Sequence, residues 1–474
     1  MASSPLTLDD LVVRDSDNLS SALQRIDTNG VGCLFAVDKA GRFAGVVGPA
    51  DLEGRFTPNS SVGALLNGKT AALRTVQPVL DADSRPVDFK SPARTARIPI
   101  AEPDLRGNEL KYVSECVTTN WISSQGEFVR RFEREFAARL GIEHALAVSN
   151  GTVALQLALA AFGIGPGDEV IVPDLTFAAT INTVLHVGAT PVVVDVDPAT
   201  WNICPKAVAA ALTPRTKAIM PVHLYGQPAD MDALMALAKP RGIVVIEDAA
   251  EAVGAAYKGR PCGALGDAAC FSFFSNKVLT TGEGGMVVFR DGNIAQRAQR
   301  LRDHGMDPGK RYWHNEVGFN FRLTNLQAAI GCAQLERLDG FLARKQAMAR
   351  RYVRRLAAFP EITLPAAIPG LTNSYWVFSV IIDFVAIGID REAFMARLGR
   401  AGIETRPLFY PLHDMPPYRP FTRGAAFPVT DRLSASGVSL PSGVLLADED
   451  IDYVCDVIES QIRARRLLRK VAAG

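Results

Sequence analysis

Between Ala145 and Phe289 the chain alternates short apolar runs with longer helical ones, and this alternation restricts the fold more than any other feature. EVIVP, PVVVDVD, AIMPVHLYG, IVVIED, ACFSF and GMVVF read as strands. They are almost continuously apolar and are separated by helix-length segments. That pattern predicts a mostly parallel sheet covered by helices on both faces, an α/β fold. No GxGxxG fingerprint follows the first strand, which argues against a Rossmann dehydrogenase. Ligands of open α/β sheets bind beyond the C-terminal ends of the strands, so the candidate chemistry is sought where these runs stop.

Three endings stand out. SNGTVALQLALAAFG places Ser149, Asn150, Gly151 and Thr152 at the start of an apolar helix, where free N–H groups and the helix dipole favour an anion. Taken alone, SNGT is a good N-cap and no more. IVVIEDAAEA delivers Glu247 and Asp248 at a strand end, where a carboxylate can keep the pyridine nitrogen of pyridoxal phosphate (PLP) protonated. CFSFFSNKVLTTGEGG carries Lys277 on a loop flanked by Thr280, Thr281, Gly282, Gly284 and Gly285. A lysine in a tight, desolvated pocket loses preference for the ammonium form and becomes a nucleophilic amine, suited to condensing with a carbonyl cofactor. A solvated surface lysine is the ordinary alternative, and it is the ordered set of three that argues for chemistry.

The order SNGTVAL, PDLTF, EDAAEAVGA, FSFFSNKVLTTGEGGM and GFNFRLTNLQAAIGCAQLE resembles the DegT/DnrJ/EryC1/StrS sugar aminotransferases, from about Ile98 to Ala472. The resemblance implies a PLP-dependent transferase of fold type I, aspartate-aminotransferase-like, with a small C-terminal α+β domain. It implies Lys277 as the catalytic lysine and Asp248 at the ring nitrogen. Gly151, Thr152 and Ser272 would hold the phosphate, Phe177 would stack on the ring, and Glu251 would lie near the 3′-oxygen. Asn320 would reach the phosphate of a neighbouring subunit's cofactor, with Arg322 near the same site, so a homo-oligomer of at least two subunits with shared sites is expected. Trp121, Ser123 and Ser124 fall in the segment that lines the sugar-nucleotide site. His223, Tyr225, Tyr410 and His413 are further candidates at strand ends or at the mouth of the site. NELKYVSECVTTNWISSQG, EDAAEA and TTGEGGM are most similar to the branch that aminates GDP-4-keto-6-deoxymannose with glutamate for surface polysaccharide synthesis. A UDP- or dTDP-linked keto sugar, or amination at C3, stays open. Lys277 sets the chain apart from related sugar 3-dehydratases, which carry histidine there.

At 474 residues there is room for several domains. The reading is 1–83 as an N-terminal α+β unit, 84–97 as a polar, proline-containing linker, 98–355 as the PLP-binding large domain and 356–474 as the small domain. In the first unit, LSSALQRIDTNG reads as a helix and CLFAVDKAGRFAGVVGPADLEGRF as strand, turn, strand and helix. This resembles a single CBS motif, with Gly48 where that family usually has threonine. The unit is thus either a nucleotide sensor or an oligomerisation appendage. A nucleotide-sensing regulatory protein with a vestigial aminotransferase body is the reading of a different class, opposed by the joint presence of Lys277, Asp248 and Ser272. Leu110, Val113 and Val117 share one face of a helix over NELKYVSECVTTNW. RKQAMARRYVRRL and RARRLLRK read as solvated basic faces. With 51 basic and 50 acidic residues, nothing calls for nucleic acid or membrane. Seven scattered cysteines without a CxxC pair, six histidines without metal spacing and a start lacking a basic n-region predict a cytoplasmic protein with no metal.

Overall fold

Seven strands build the central sheet, in the order His144–Val148, Gly285–Phe289, Ala268–Ser272, Val244–Asp248, Thr216–Ile219, Glu169–Pro173, Thr190–Val194. The computed structural model describes residues 6–53, 58–66, 76–91, 97–422 and 424–473. Six of the seven strands point the same way. Gly285–Phe289 is antiparallel to both of its neighbours. Every expected strand is present, because two-sided burial demands unbroken apolar runs. Helix Gly151–Ala161 buries Ala154, Leu155, Leu157, Ala158, Leu159 and Ala161 against the sheet and its neighbours, so it is apolar nearly all round. This is the mostly parallel α/β sheet that the sequence predicts.

Helix Asn325–Leu356, 32 residues long, carries the chain from the part built on this sheet to a smaller C-terminal part with a sheet of its own. It starts at a capping box in which Thr324 and Gln327 satisfy each other's backbone N–H groups. The small domain has an antiparallel sheet ordered Ile362–Thr363, Phe378–Ile382, Gly437–Leu440, Arg406–Pro407. Helix Asp448–Ala473 closes the chain.

Two expectations do not hold. The basic segments are not free solvated faces. Arg344, Arg351 and Arg355 pair with Asp448, Asp452 and Asp456 of the last helix. Arg463, Arg465 and Arg466 pair with Glu53, Asp27 and Glu361. The segment read as a linker is in part a strand. Pro86–Lys90 pairs antiparallel with Gln77–Leu80 and buries Phe89, while Val87 stays exposed. Residues 92–96 of that segment lie outside the described residues.

The N-terminal unit has the expected elements: helix Leu19–Asn29, strands Leu34–Val37 and Phe43–Val47, and a short helix at Pro49–Leu52. Strand Val12–Arg14 adds to the sheet in parallel. The unit is fused to the small domain: Leu11, Val31 and Phe35 share a core with Phe378, Val380, Leu398 and Val454. Buried Asp27 accepts hydrogen bonds from Arg397 and Arg465. Among the described residues no helix is long and apolar enough to cross a membrane.

Candidate active site

Lys277 sits on the loop between the antiparallel strands Ala268–Ser272 and Gly285–Phe289, with its side chain 11% exposed. The loop is pinned by its own backbone: Phe273 N–H donates to the Gly284 carbonyl and Thr281 N–H to the Phe273 carbonyl. Thr280 Oγ1 donates to the Phe273 carbonyl as well. Lys277 Nζ lies 3.9 Å from Glu251 Oε1 and 3.6 Å from the centroid of the Trp376 ring. Burial pulls the ammonium below its usual range, against the charges of Glu251 and Asp248. Burial also pushes the Glu251 carboxyl up to about 7, against Lys277 and the Tyr225 N–H that donates to its Oε2 at 2.7 Å.

Asp248 ends the neighbouring strand, Val244–Asp248, and is buried. Its Oδ2 accepts from Thr180 Oγ1 at 2.8 Å and its Oδ1 from Ala250 N–H at 3.2 Å. Thr180 in turn lies 2.9 Å from Thr176 Oγ1. Burial raises the Asp248 carboxyl, opposed by Thr180, Ala250 and Lys277. Phe177 closes this end, 60% exposed and 5.9 Å from Phe409.

The start of helix Gly151–Ala161 meets the end of the lysine strand. Asn150 caps the helix, its Oδ1 accepting from Val153 N–H at 3.0 Å. A Cβ on Gly151 would lie 2.8 Å from Ser272 Cβ, and one on Gly285 would lie 2.6 Å from the carbonyl carbon and oxygen of Asn150. These glycines let a helix N-terminus, Thr152 in its first turn and the Ser272 hydroxyl converge, which is a cradle for phosphate. Asn276 Oδ1, on the residue before Lys277, is buried without a partner. Cradle, strand-end acid and buried amine together fit PLP: Gly151, Thr152 and Ser272 for the phosphate, Asp248 for the ring nitrogen, Phe177 for the ring face, Lys277 for the carbonyl carbon.

Other expected residues lie elsewhere. His223 is fully buried, and both ring nitrogens are engaged: Nε2 with Glu247 Oε2 at 2.8 Å, Nδ1 accepting from Ala229 N–H at 3.1 Å. No ring atom remains for a substrate, so His223 is a structural residue. Glu247 also accepts from the N–H groups of Gly263, Leu265 and Gly266. Cys262 is close to both, within 4.8 Å, a proximity that the spacing of the three in the sequence hides. Asn320 and Arg322 bond each other, and Arg322 bonds Asp303. Arg322 lines a cavity of about 460 Å³ with Trp121, Ser124, Arg130 and Arg302. Ser123 is exposed beside that cavity, and its carbonyl accepts from Asn325 N–H. Tyr410 is exposed on the loop that brings Phe409 to the mouth.

No local signal singles out Thr180, three residues past Phe177, or Trp376, and the sequence gives Tyr225 only a place at a strand end. Tyr225 holds a left-handed backbone (φ 53°), stacks on both Trp376 and Phe409, and offers its N–H to Glu251. Strain of that kind at a non-glycine residue is tolerated where the surroundings force it.

The DegT/DnrJ/EryC1/StrS aminotransferase family model matches residues 103–459. GDP-perosamine synthase of Caulobacter vibrioides is 48% identical over 364 residues, spanning 77% of this chain and 98% of that protein. The GDP-perosamine synthase of Vibrio cholerae is 43% identical over 363 residues, with the same two coverages. Among solved structures, the aminotransferase TlmJ from Streptoalloteichus hindustanus superposes with a TM-score of 0.73 at 34% identity, covering 79% of this chain and all of that one. DesI, solved in the presence of its TDP-sugar product, gives 0.72 at 35% identity, covering 79% and 95%.

Proposed function

Because the chain belongs to the DegT/DnrJ/EryC1/StrS aminotransferase family, we propose that it moves the amino group of glutamate to C4 of GDP-4-keto-6-deoxymannose, forming GDP-perosamine for surface polysaccharide. The observation that carries this reading is the match at 43–48% identity to GDP-perosamine synthases over 97–98% of their length. The chain is in any case a PLP-dependent sugar-nucleotide aminotransferase.

When bound, PLP supplies a protonated pyridine ring that takes up the electron pair left on the amino-bearing carbon. Asp248, held by Thr180 and the Ala250 N–H, would keep the proton on the ring nitrogen. Lys277 Nζ, with its ammonium form disfavoured, takes the proton from the donor's α-carbon as general base and delivers one to C4 of the acceptor sugar as general acid. Glu251, 3.9 Å from Nζ and titrating near neutrality, gives or takes a proton beside it. Trp376 and Tyr225 wall the lysine from water.

Two surfaces support an oligomer of at least two subunits. Helix Glu109–Thr118 turns Leu110 (79% exposed) and Val117 outward instead of into the core, followed by exposed Trp121 and Ile122. The segment before Asn320 exposes Tyr312, Trp313 and Val317. A second copy covering these faces would bring Asn320 and Arg322 to a neighbouring site.

The test is mass spectrometry of products from 4-keto-6-deoxy sugars carried on GDP, UDP and dTDP, each incubated with the protein, PLP and glutamate. Conversion of the GDP sugar alone is expected. Conversion of the dTDP sugar instead would move the carrier toward that of DesI's TDP-sugar product. Lys277→Ala is expected to lose turnover by about 10²–10⁴-fold or more, and normal turnover by it would sink the assignment.

A further inference from the structure

Asp174 opens the loop that carries Phe177 to the candidate site. It follows strand Glu169–Pro173 directly, and the next three residues include Thr176, which supports Thr180, and Phe177. Asp174 itself faces away from that task. Its carboxylate is wholly buried and grips the small domain: Oδ1 accepts from His413 N–H at 2.9 Å, and Oδ2 lies 2.7 Å from His413 Nδ1. The Asp174 carbonyl accepts from Leu412 N–H at 3.1 Å. On its other edge His413 Nε2 lies 3.2 Å from Asp431 Oδ1 and 3.7 Å from Asp414 Oδ1. Its ring stacks on Phe427 at 4.7 Å. The next strand end repeats the grip. Asp195, after Thr190–Val194, accepts from the N–H groups of Val429 and Thr430 and from Thr430 Oγ1.

The loop held in this way carries Phe409, and Phe409 completes the wall. Its ring lies 5.4 Å from Tyr225 and 5.9 Å from Phe177, and its N–H donates to Tyr225 Oη at 3.0 Å. Tyr225 in turn contacts Trp376, which lies against Lys277. We propose that His413, gripped between Asp174 and Asp431, is a positioning residue that fixes the 409–413 loop, and through Phe409 the aromatic wall, over the Lys277 site when the sugar nucleotide binds. For the substrate this rests on the reading above.

The charges give the grip a direction in pH. Burial opposes a proton on His413, but the hydrogen bond to Asp174 and the charges of Asp174, Asp431 and Asp414 outweigh it and raise its pKa. Burial, with Asp195 nearby, pushes the Asp174 carboxyl up to about 6 despite His413. Both groups therefore hold protons more tightly in the docked loop than in water. By linkage, low pH favours the docked loop, and rising pH releases it, finally as His413 loses its proton.

The experiment uses the full-length holoenzyme with GDP-4-keto-6-deoxymannose varied at saturating glutamate. His413→Gln is expected to raise KM for the sugar about tenfold while kcat changes less than threefold. In Asp431→Asn the pH at which KM climbs moves down by half a unit or more, because one charge favouring the imidazolium is gone. A second readout needs no substrate: hydrogen exchange of the peptide spanning 406–415, corrected for intrinsic rates, is expected to lose protection at that same pH, and in His413→Gln at every pH. Absence of turnover with the GDP sugar alongside a protected, pH-released loop would overturn the substrate and keep the grip. Equal loss of kcat and KM with an unmoved pH profile and unchanged loop exchange would overturn the grip.

Discussion

Gly285 has the carbonyl carbon and oxygen of Asn150 2.6 Å from where a Cβ would stand, and the Phe271 carbonyl at 2.8 Å. All three are backbone atoms, so no side chain can swing aside. Gly285→Ala must push the helix cap away from Ser272. PLP affinity, read from the absorbance of the bound cofactor, is expected to fall at least tenfold, with little change in the rate at saturating PLP if Lys277 stays in place. Gly151→Ala meets the Ser272 side chain instead and should cost less. Thr180→Val tests a different residue. It removes the donor to Asp248 Oδ2 and leaves a buried carboxylate with one weak N–H partner, a loss of about 1–3 kcal/mol. Turnover should fall by about tenfold or more, since 1.4 kcal/mol is tenfold, and an unchanged kcat would show that Ala250 alone suffices. Lys277, Asp248, Ser272 and Gly151 were legible because each sits at a strand end or helix start that the local pattern marks. Thr180 was not, because its partner is 68 positions away. His223 looked like a strand-end functional group. Its partners Glu247 and Ala229 take both ring nitrogens, which only the fold reveals.

The same division between local and distant holds for whole elements. Apolar runs placed the strands correctly, because burial on both faces leaves a mark on every residue. Helix Glu109–Thr118 was also legible as a helix, but of its apolar row only Val113 packs against the core while Leu110 and Val117 point outward, and periodicity does not say what covers a face. The arginines of helix Asn325–Leu356 looked solvated because their carboxylate partners lie about 100 positions further on. Lys345, one of the same basic run, is the buried exception. Its Nζ donates to the carbonyls of Trp376, at 2.8 Å, and Ser442, and burial pulls the ammonium down to about 7. An unfolded lysine keeps its proton to about 10.4. Between those values the unfolded chain binds more protons than the folded one, so this group makes stability climb with pH from about 7 to 10. Lys345→Met should remove the climb, worth a few kcal/mol at 1.36 per unit. Urea midpoints at pH 7, 8.5 and 10 check it. The wild-type minus variant difference should grow with pH, and a constant difference would refute the buried charge.

At the scale of the molecule, the N-terminal unit is outside the span shared with the family, yet it is packed as part of the small domain. Leu19, Leu23 and Ile26 of its helix bury against Ala464 and Leu467 of the last helix. Asp27, 5% exposed, is held by Arg397 from one small-domain helix and Arg465 from another. Removing one member of a buried ion cluster leaves uncompensated charge and costs about 3–5 kcal/mol. Asp27→Ala should therefore loosen more than its own helix. If the core through Leu11, Val31, Phe35, Phe378 and Val380 is one cooperative unit, then strands Leu34–Val37 and Phe378–Ile382 should exchange their amide hydrogens faster together in the variant. Val244–Asp248, in the large domain, should not change. The small domain also carries the 409–413 loop, so the same variant should weaken protection there without touching His413. Faster exchange confined to Leu34–Val37 would make the unit an appendage that rides on the enzyme. Joint acceleration would make it a brace for the half of the active site that the small domain supplies.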